Sequence, residues 1–337
     1  MHSQSIGHLV RDTEFAIFWH KKFFPNSKLI LLHSDVVVNK YFLQILKREF
    51  RTKRFSFNIR LWLRILRFFS PPTVNRILNP SFTRDYSAIC HAQTPAIRVE
   101  SDKSRNFFLR QELEDSLGLK IDCPYVVLVV RDSAHDQLYF PKRIQLETYR
   151  HSPIDSMLTA LNVLQDSGFG IVRMGRDTLD SNTPLNYDYF DYSKRKDLQS
   201  DELDFLIFEN CRYVISTGSG VDEIGALFRK KICLVNISPP NSPINSLTYP
   251  IALSADYYQN NRKLNSRSLL NKTRGRLHPR DIPTELDIQI RPKETVTVAA
   301  FLEFFHRVHT LNQSEIQLHS LDFARIHNLE LIGNVLY

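Results

Sequence analysis

Alternating apolar and polar stretches predict strands and helices in regular succession through the middle of the chain. Four short runs are rich in apolar residues and end at turn residues, a pattern typical of strands buried on both faces of a parallel sheet. They cover residues 125–130, 170–174, 213–216 and 232–236. Helical patterns separate them, starting near residues 152, 200 and 221. Because strands and helices alternate, we predict a doubly wound parallel sheet with right-handed connections.

The first of these helical patterns has the clearest start signal. Ser152 is a typical N-cap, Pro153 suits the first helical position, and Asp155 completes an arrangement similar to a capping box. Gly168 is expected to end this helix. The loop before it, residues 131–151, is unusually long for a compact domain, which is typical of functional loops.

A less regular α/β pattern precedes this region. Residues 28–33 predict a strand, and residues 14–23, 37–48 and 106–117 predict helices. A further helix is predicted over residues 296–309. A chain of 337 residues is too long for one simple core, so we predict two α/β domains.

A glycine-containing turn between a strand and a helix gives the strongest chemical signal. Its residues are Ser216, Thr217, Gly218, Ser219 and Gly220. Glycines let the backbone turn sharply, and the N-terminus of the following helix offers amide groups and a positive dipole end that suit a phosphate. The turn lacks the ending of a P-loop and the three spaced glycines of a dinucleotide fingerprint. The alternative is a plain connection built from small residues.

Polar residues follow the other strands at the same expected edge of the sheet. Arg131 and Asp132 follow the first run, and Arg173, Gly175 and Arg176 end the second. In open α/β sheets, ligands bind outside the carboxyl ends of the strands, and arginine grips phosphate through its planar fork. For Arg176, the alternative is an ion pair with an acid at the surface.

Two further groups are candidates for chemistry. Arg150 is placed to reach a phosphate and Tyr149 to stack on a base, because both precede the well-capped helix. His8, Asp12 and Glu14 near the start of the chain are candidates for a general base on an acceptor hydroxyl. For His8 the alternative is a structural histidine.

The net positive charge of the chain is compatible with several classes of partner. Lys and Arg number 44 against 36 Asp and Glu, a net charge of +8, which suits an anionic ligand, an acidic membrane surface or nucleic acid. Residues 51–69 predict a basic amphipathic helix. Such a helix lies in a membrane interface, and the alternative is that it packs on the core and exposes its basic face to solvent. No nucleic-acid-binding motif accompanies these charges, so we predict no nucleic acid partner.

Cysteine and hydropathy patterns bear on the compartment. The four cysteines lack the close spacing of a zinc or redox motif, and Cys123, Cys211 and Cys233 are expected to be buried thiols in a reducing compartment. No metal motif is evident. With no signal peptide and no apolar run long enough to span a bilayer, we predict a cytoplasmic protein, peripheral at the inner face of the membrane.

Three motifs resemble a bacterial family of predicted GT-B-type glycosyltransferases that is associated with surface-polysaccharide synthesis. They are VVRDSAHD, YRHSPIDSMLTALNVLQDSGFGIVRMGR and STGSGVDEIGALF. The likeness covers residues 121–240 and, weakly, residues 6–15. More distantly, the stretch from Leu203 to Asn236 resembles the donor-binding end of heptosyltransferases.

The resemblance implies two Rossmann-like domains facing across a cleft, with a nucleotide-sugar donor and no metal or other cofactor. Residues 1–118 would form the acceptor-side domain and residues 119–305 the nucleotide-sugar-binding domain. The tail, residues 306–337, would pack back on the N-terminal domain. In such enzymes the glycine-containing turn holds the diphosphate, which the resemblance carries onto residues 217–220, with Asp222 on the sugar or ribose.

These features favour transfer of a glycosyl unit from a nucleotide diphosphate sugar to a hydroxyl of a surface glycan or lipid-linked acceptor. Arg131, Arg173 and Arg176 would neutralise the departing diphosphate, and Asp12 or Glu14 would take the acceptor proton. We therefore expect Arg173→Ala to reduce turnover far more than stability. Two alternatives are a nucleotide-sugar 2-epimerase, which needs no acceptor, and a non-catalytic glycan- or membrane-binding assembly protein.

Overall fold

A computed structural model describes most of the chain in separate ranges. These are residues 5–33, 36–54, 97–99, 103–117, 124–139, 148–152, 154–176, 178, 189–239, 250–332 and 335–336. The described helices are α1 (Ile6–Phe23), α2 (Lys40–Glu49), α3 (Lys103–Leu117), α4 (Ala134–Tyr139), α5 (Asp155–Asp166), α6 (Asp201–Asn210), α7 (Asp222–Leu227), α8 (Ser266–Thr273), α9 (Thr295–Val308) and α10 (Gln313–Ile326). The described strands are β1 (Ile30–His33), β2 (Arg51–Arg54), β3 (Tyr125–Val129), β4 (Gly170–Met174), β5 (Tyr189–Asp191), β6 (Val214–Ser216), β7 (Ile232–Ile237), β8 (Ala252–Ser254), β9 (Asp256–Gln259), β10 (Arg262–Lys263), β11 (Ile288–Arg291), β12 (Leu331–Ile332) and β13 (Val335–Leu336).

One large sheet organises the fold. Its strand order is β12-β13-β8-β7-β6-β3-β4-β5, and every neighbouring pair is parallel except β12 with β13. From β3 the chain first adds β4 and β5 on one side and then β6, β7 and β8 on the other. The predicted α/β class with a parallel, doubly wound sheet is therefore confirmed, and the topological switch point lies between β3 and β6.

The large sheet is buried on both faces because its strands are apolar at successive positions. In β3, Val127 and Val129 join one core with α1, α2, α6 and α7. Val126 and Leu128 join the other core with α5, α9 and α10. Each fully buried aliphatic side chain stabilises the fold by about 1.5–3 kcal/mol, so these two layers fix the sheet that carries the site.

The N-terminal segment contains a second, separate parallel sheet. β1 pairs with β2 from Ile30 opposite Arg51 to His33 opposite Arg54. The predicted basic helix over residues 51–69 is wrong at its start, because residues 51–54 form β2; residues 55–69 lie outside the described part of the chain. α2 packs on α6, where the rings of Phe42 and Phe205 stack with centroids 5.4 Å apart.

Residues after β8 form an addition that the sequence pattern did not predict. β9 pairs antiparallel with β10 and β11 to make a small three-stranded sheet. Its own core contains Tyr257, Leu264, Leu269 and Leu277. The chain then returns to the large sheet through α9.

The C-terminal tail lies on the large sheet. β13 pairs with β8, and the ring of Phe323 in α10 stacks on Phe304 in α9 with centroids 4.6 Å apart. The described tail thus completes the same sheet and its helical layer, rather than the N-terminal domain onto which the resemblance placed it. The predicted domain boundaries stay a prediction.

Helix starts show where local signals succeed and fail. Ser200 caps α6 by accepting a hydrogen bond from the amide of Leu203 at 3.1 Å. Ser152 does not cap α5, which begins at Asp155 without a side-chain cap. Instead, the Ser152 amide donates to the carbonyl of Arg131 at 2.8 Å, which ties the long loop to the end of β3.

The thiols of Cys211 and Cys233 are buried and free, as predicted, and burial raises the pKa of Cys211 to about 12. Cys123 lies outside the described residues. In the described part of the chain, no helix combines the length and apolar character that crossing a bilayer requires.

Candidate active site

Two loops meet at the switch point, and each holds the other. They are residues 131–133 after β3 and residues 217–220 after β6, called here the switch-point loops. The amide of Arg131 donates to Oγ1 of Thr217 at 2.9 Å, and the amide of Thr217 donates to the carbonyl of Val129 at 3.1 Å. Ligands of open α/β sheets bind at this position, so the fold itself marks the place.

The glycine-containing turn is organised from inside by a buried carboxylate. Asp222 is 4% exposed, and its Oδ2 accepts from the Ser216 hydroxyl at 2.6 Å and from the Ser219 amide at 3.1 Å. The Gly218 amide donates to Oγ of Ser216 at 3.0 Å. Gly218 has φ +84°, which glycine adopts without strain. Two of the amides assigned to a phosphate therefore already have partners, and Asp222 shapes the turn.

Two arginines, Arg11 and Arg150, lie close enough to this turn for their charges to act on Asp222. Burial raises the pKa of Asp222 to about 6, while hydrogen bonds from Ser216 and Ser219 and the charges of Arg11 and Arg150 act in the opposite direction. Nη2 of Arg150 donates to the carbonyl of Gly218 at 3.3 Å. The sequence prediction that Arg150 reaches the phosphate region is thus consistent with its position.

Tyr149 lies next to Arg150 and faces the small three-stranded sheet. Its ring meets His278 edge-on with centroids 6.2 Å apart. Nearby, the hydroxyl groups of Ser238 and Tyr257 lie 2.8 Å apart. The Ser238 and Tyr257 hydroxyl groups thus lie just beyond the ends of β7 and β8. Gly218 of the glycine-containing turn lies close to Ile237 at the end of β7. A base stacked on Tyr149 stays a prediction.

The first turn of α1 touches the glycine-containing turn. A Cβ added to Gly7 would lie 2.7 Å from Cα of Gly220, and one added to Gly220 would lie 3.2 Å from the amide nitrogen of Gly7. The first distance leaves no room for a side chain at Gly7, and the second is tighter than an ordinary contact at Gly220. The backbone of α1 therefore contacts the turn at Gly7, and His8 is the next residue of the helix.

His8 is paired with a buried carboxylate. Its Nδ1 lies 3.1 Å from Oδ2 of Asp12, one helical turn along α1. The His8 side chain is 44% exposed and that of Asp12 is 2% exposed. A proton on Nδ1 satisfies the carboxylate and leaves Nε2 unprotonated, which is the form of histidine that accepts a proton. The pair thus has the geometry of a general base with its orienting carboxylate.

Glu14 has a different position from Asp12. Its Oε1 accepts from Nη2 of Arg229 at 2.6 Å, and both side chains are largely buried. Arg11 makes a parallel pair with Glu223 at 2.9 Å, and burial raises the pKa of Glu223 to about 7 against the lowering effect of Arg11. Glu223 lies in α7 and Arg229 follows the end of that helix, so Glu14 and Arg11 both help to hold α1 on this part of the chain.

The arginines at the end of β4 are neutralised by carboxylates. Arg173 is 1% exposed, and its guanidinium lies 3.2 Å from Asp191 and 3.4 Å from Asp132. Asp132 also accepts from the amide of Ala134 at the start of α4, at 2.9 Å. A buried charge with two buried partners supports folding, so the expectation that Arg173→Ala spares stability is reversed.

Arg176 follows the alternative stated for it. Its Nη2 lies 2.6 Å from Asp201 and 2.8 Å from Asp204, both in α6. Gly175 has φ +151°, and a Cβ there would lie 2.6 Å from Cγ2 of Thr178, so the local turn explains this glycine. The end of β4 therefore brings its arginines together with acids, and one of these acids, Asp132, belongs to the first switch-point loop.

Sequence reasoning missed Arg11 and Glu223. Arg11 follows His8 by one helical turn, so plotting α1 as a helix from residue 6 would have placed both on one side. The predicted start of that helix at residue 14 hid this relation. Within the described ranges, no three His, Cys, Asp or Glu side chains come together as a metal site would require; metal independence stays a prediction.

No family model matches the chain, and no curated protein matches it. Among solved structures, it is similar to ADP-heptose LPS heptosyltransferase II of E. coli. The two share 11% identity with a TM-score of 0.43, over 84% of this chain and 95% of that chain. This similarity is too low to transfer the activity of that protein to this chain.

Proposed function

We propose that the protein is a cytoplasmic glycosyltransferase. It would move a sugar from a nucleotide diphosphate sugar to a hydroxyl of a surface glycan or lipid-linked acceptor. The observation that carries this proposal is the His8–Asp12 pair on α1, whose first turn contacts the glycine-containing turn at the switch point. Activation of a hydroxyl requires a proton acceptor, and departure of a diphosphate requires groups that stabilise negative charge.

In this proposal His8 takes the acceptor proton through Nε2. Asp12, buried behind it, keeps Nδ1 protonated and orients the ring, so Asp12 is a positioning residue. This assigns the base to His8 rather than to Asp12 or Glu14, because Glu14 is held by Arg229 at 2.6 Å. The pairing follows the general logic by which a carboxylate fixes the tautomer of a catalytic histidine.

Cationic side chains at the turn would stabilise the departing diphosphate. Arg150 contacts the carbonyl of Gly218, and Arg131 begins the loop that is tied to Thr217. Both are half-buried, which strengthens a charge–charge interaction relative to a fully solvated pair. The amides of Gly218 and Ser219 would act indirectly, by keeping the turn in shape.

A ligand screen tests the donor site directly. Purified protein would be heated with UDP, GDP, CDP, ADP and CMP, because a ligand that binds only the folded state raises the melting temperature. We expect one diphosphate to raise it, and Arg150→Ala to abolish the shift. Arg325→Ala, which removes an exposed arginine of α10, is the matched control and should leave the shift unchanged. A folded protein with no shift for any nucleotide contradicts the donor site.

A product assay separates transfer from its rivals. The sugar conjugate of the nucleotide that binds would be incubated without acceptor and then with candidate glycans. Acceptor-dependent release of the diphosphate, with the sugar recovered on the glycan, is the expected result. Conversion of the donor to its 2-epimer with no acceptor indicates an epimerase. Binding of the donor without any turnover indicates a non-catalytic protein.

A further inference from the structure

The positive charge of the chain is concentrated in one part. Residues 15–99 contain 15 Lys and Arg against 3 Asp and Glu, a net charge of +12, whereas the whole chain carries +8. The rest of the chain is therefore slightly acidic. An excess of this kind, confined to one part of a sequence, indicates contact with a polyanionic surface.

The described residues of this part surround a cavity at the far end of α1. The cavity has a volume of about 430 Å³. Its lining residues are His20, Lys21, Pro25, Lys28, Leu29, Ile30, Glu49, Phe50 and Arg51. Three of these residues are basic, namely Lys21, Lys28 and Arg51. Glu49 supplies one carboxylate, and most of the other lining residues are apolar. Lys28 and Arg51 are exposed at its rim.

Apolar side chains are exposed beside these charges. Phe23 is 41% exposed and Ile30 is 40% exposed. The Phe23 ring stacks on Trp19 with centroids 4.5 Å apart, and the Lys22 ammonium lies over it at 5.4 Å. Exposed aromatic and aliphatic groups interleaved with lysines are typical of segments that lie at a lipid headgroup boundary.

This region is remote from the switch-point loops. Gly7, at one end of α1, touches the glycine-containing turn, and Lys21 lies near the other end of the same helix. At 1.5 Å per residue, the two positions are about 21 Å apart along the helix axis. A ligand at this end of α1 therefore does not occupy the proposed donor site.

We propose that the surface formed by the end of α1, the loop to β1 and the start of β2 docks on an anionic phospholipid bilayer. Lys28 and Arg51 would contact headgroup phosphates, and Phe23 and Ile30 would enter the headgroup boundary. This inference does not rest on the proposed function. A free phosphate would use the basic groups but not the exposed apolar ones, and a nucleic acid backbone likewise gains nothing from Ile30, so the bilayer fits better.

Vesicle binding by the full chain tests this proposal. The protein would be sedimented with vesicles of phosphatidylcholine alone and with vesicles that also contain phosphatidylglycerol. We expect binding only to the anionic vesicles, and release at high salt. Because each basic residue near an anionic bilayer contributes about a five-fold gain in affinity, Lys28→Gln with Arg51→Gln should weaken binding roughly 25-fold.

Matched variants separate this surface from general charge. Lys272→Gln with Arg325→Gln removes the same charge from exposed positions of α8 and α10 and should leave binding unchanged. Phe23→Ser should weaken binding while the salt dependence persists. Equal binding of both kinds of vesicle, or equal effects of the two double variants, overturns the proposal.

Two competitors complete the test. Millimolar inorganic phosphate should not displace the protein from vesicles, and displacement would assign the cavity to a free anion instead. Tighter binding of a single-stranded oligonucleotide than of the anionic vesicles at the same salt would overturn the proposal in favour of nucleic acid. Unfolding midpoints of the two double variants should match the unmodified protein, because their altered side chains are exposed. Phe23→Ser also loses the stack on Trp19, so its binding is measured at a temperature where it is folded.

Discussion

The ends of β4 and β6 satisfy the same rule for ligand binding, yet the structure gives them different properties. At the end of β6, Arg150 contacts a backbone carbonyl of the glycine-containing turn, and the turn also contacts the first turn of α1, which carries the His8–Asp12 pair. At the end of β4, Arg173 lies between Asp132 and Asp191, and Arg176 between Asp201 and Asp204.

The difference shows that a position at the carboxyl end of a parallel strand does not by itself make an arginine available to a ligand. An arginine with two carboxylate partners has its charge neutralised before any ligand arrives. At the switch point, the connections after β3 and β6 lead to helices on opposite faces of the sheet, α5 and α7, and ligand crevices of open α/β sheets lie at such positions. In the proposed site, the carboxylates around each arginine are therefore the feature that distinguishes the two strand ends.

The sharpest test of the β6 side is His8→Ala. Removing a general base lowers turnover by about 100- to 10,000-fold, while the exposed position of His8 predicts little change in stability. Asp12→Asn should lower turnover less and shift its pH profile, since the ring loses its orienting partner. Steady-state rates measured across pH check both variants, and unchanged turnover in His8→Ala removes this histidine from the mechanism.

The strongest test of the β4 side is Arg173→Ala. Leaving Asp132 and Asp191 buried without their cation should lower the free energy of unfolding by about 3–5 kcal/mol. Urea denaturation measures this, with Arg150→Ala as the control that should cost much less. A stable Arg173→Ala protein that has lost nucleotide binding would place Arg173 in the site after all and end the contrast between the two strand ends.

The contact between α1 and the turn can be broken with a single methyl group. In Gly7→Ala the new Cβ would meet Cα of Gly220 at 2.7 Å, so one backbone must move. Overpacking of this kind costs about 1–3 kcal/mol, and it should separate His8 from the turn. We expect a lower melting temperature and reduced turnover together. A normal melting temperature would mean that the two backbones can part freely.

The smallest effect is expected for Arg176→Ala. Arg176 is 44% exposed and its pair with Asp201 is a surface pair that contributes less than about 1 kcal/mol. The Asp204 side chain is 13% exposed, so we expect a moderate loss of stability that is smaller than that of Arg173→Ala. Nucleotide binding and turnover should match those of the unmodified protein. A loss of nucleotide affinity in this variant would extend the site to β4, contrary to the comparison above.

Sequence patterns predicted the large sheet because its central strands are short, apolar and buried on both faces. β4 matches its predicted bounds, and β3, β6 and β7 differ by one residue at an end. The small sheet was missed because β9, with the sequence DYYQ, has no continuous apolar run. Its stability comes from contacts with residues distant in sequence, such as Leu277.

The candidate site was predictable in its position but not in its partners. The strand–turn–helix pattern with its glycines predicts the position of the turn. The local sequence does not predict that the Asp222 carboxylate accepts hydrogen bonds from within the turn. The same limit applies to Arg173, since Asp191 is supplied by β5, which the pattern did not predict. Charge neutralisation depends on which strands become neighbours, and a single sequence does not state that order.

The length of α1 has a consequence for the acceptor. This helix runs without interruption from Ile6 to Phe23, and a continuous helix neither shortens nor stretches appreciably. If the C-terminal end of α1 rests on lipid while its first turn takes part in the reaction, the length of α1 sets the greatest distance from the bilayer surface at which transfer takes place. The protein would then select acceptors by the reach of the glycan above the bilayer as well as by the identity of its last sugar.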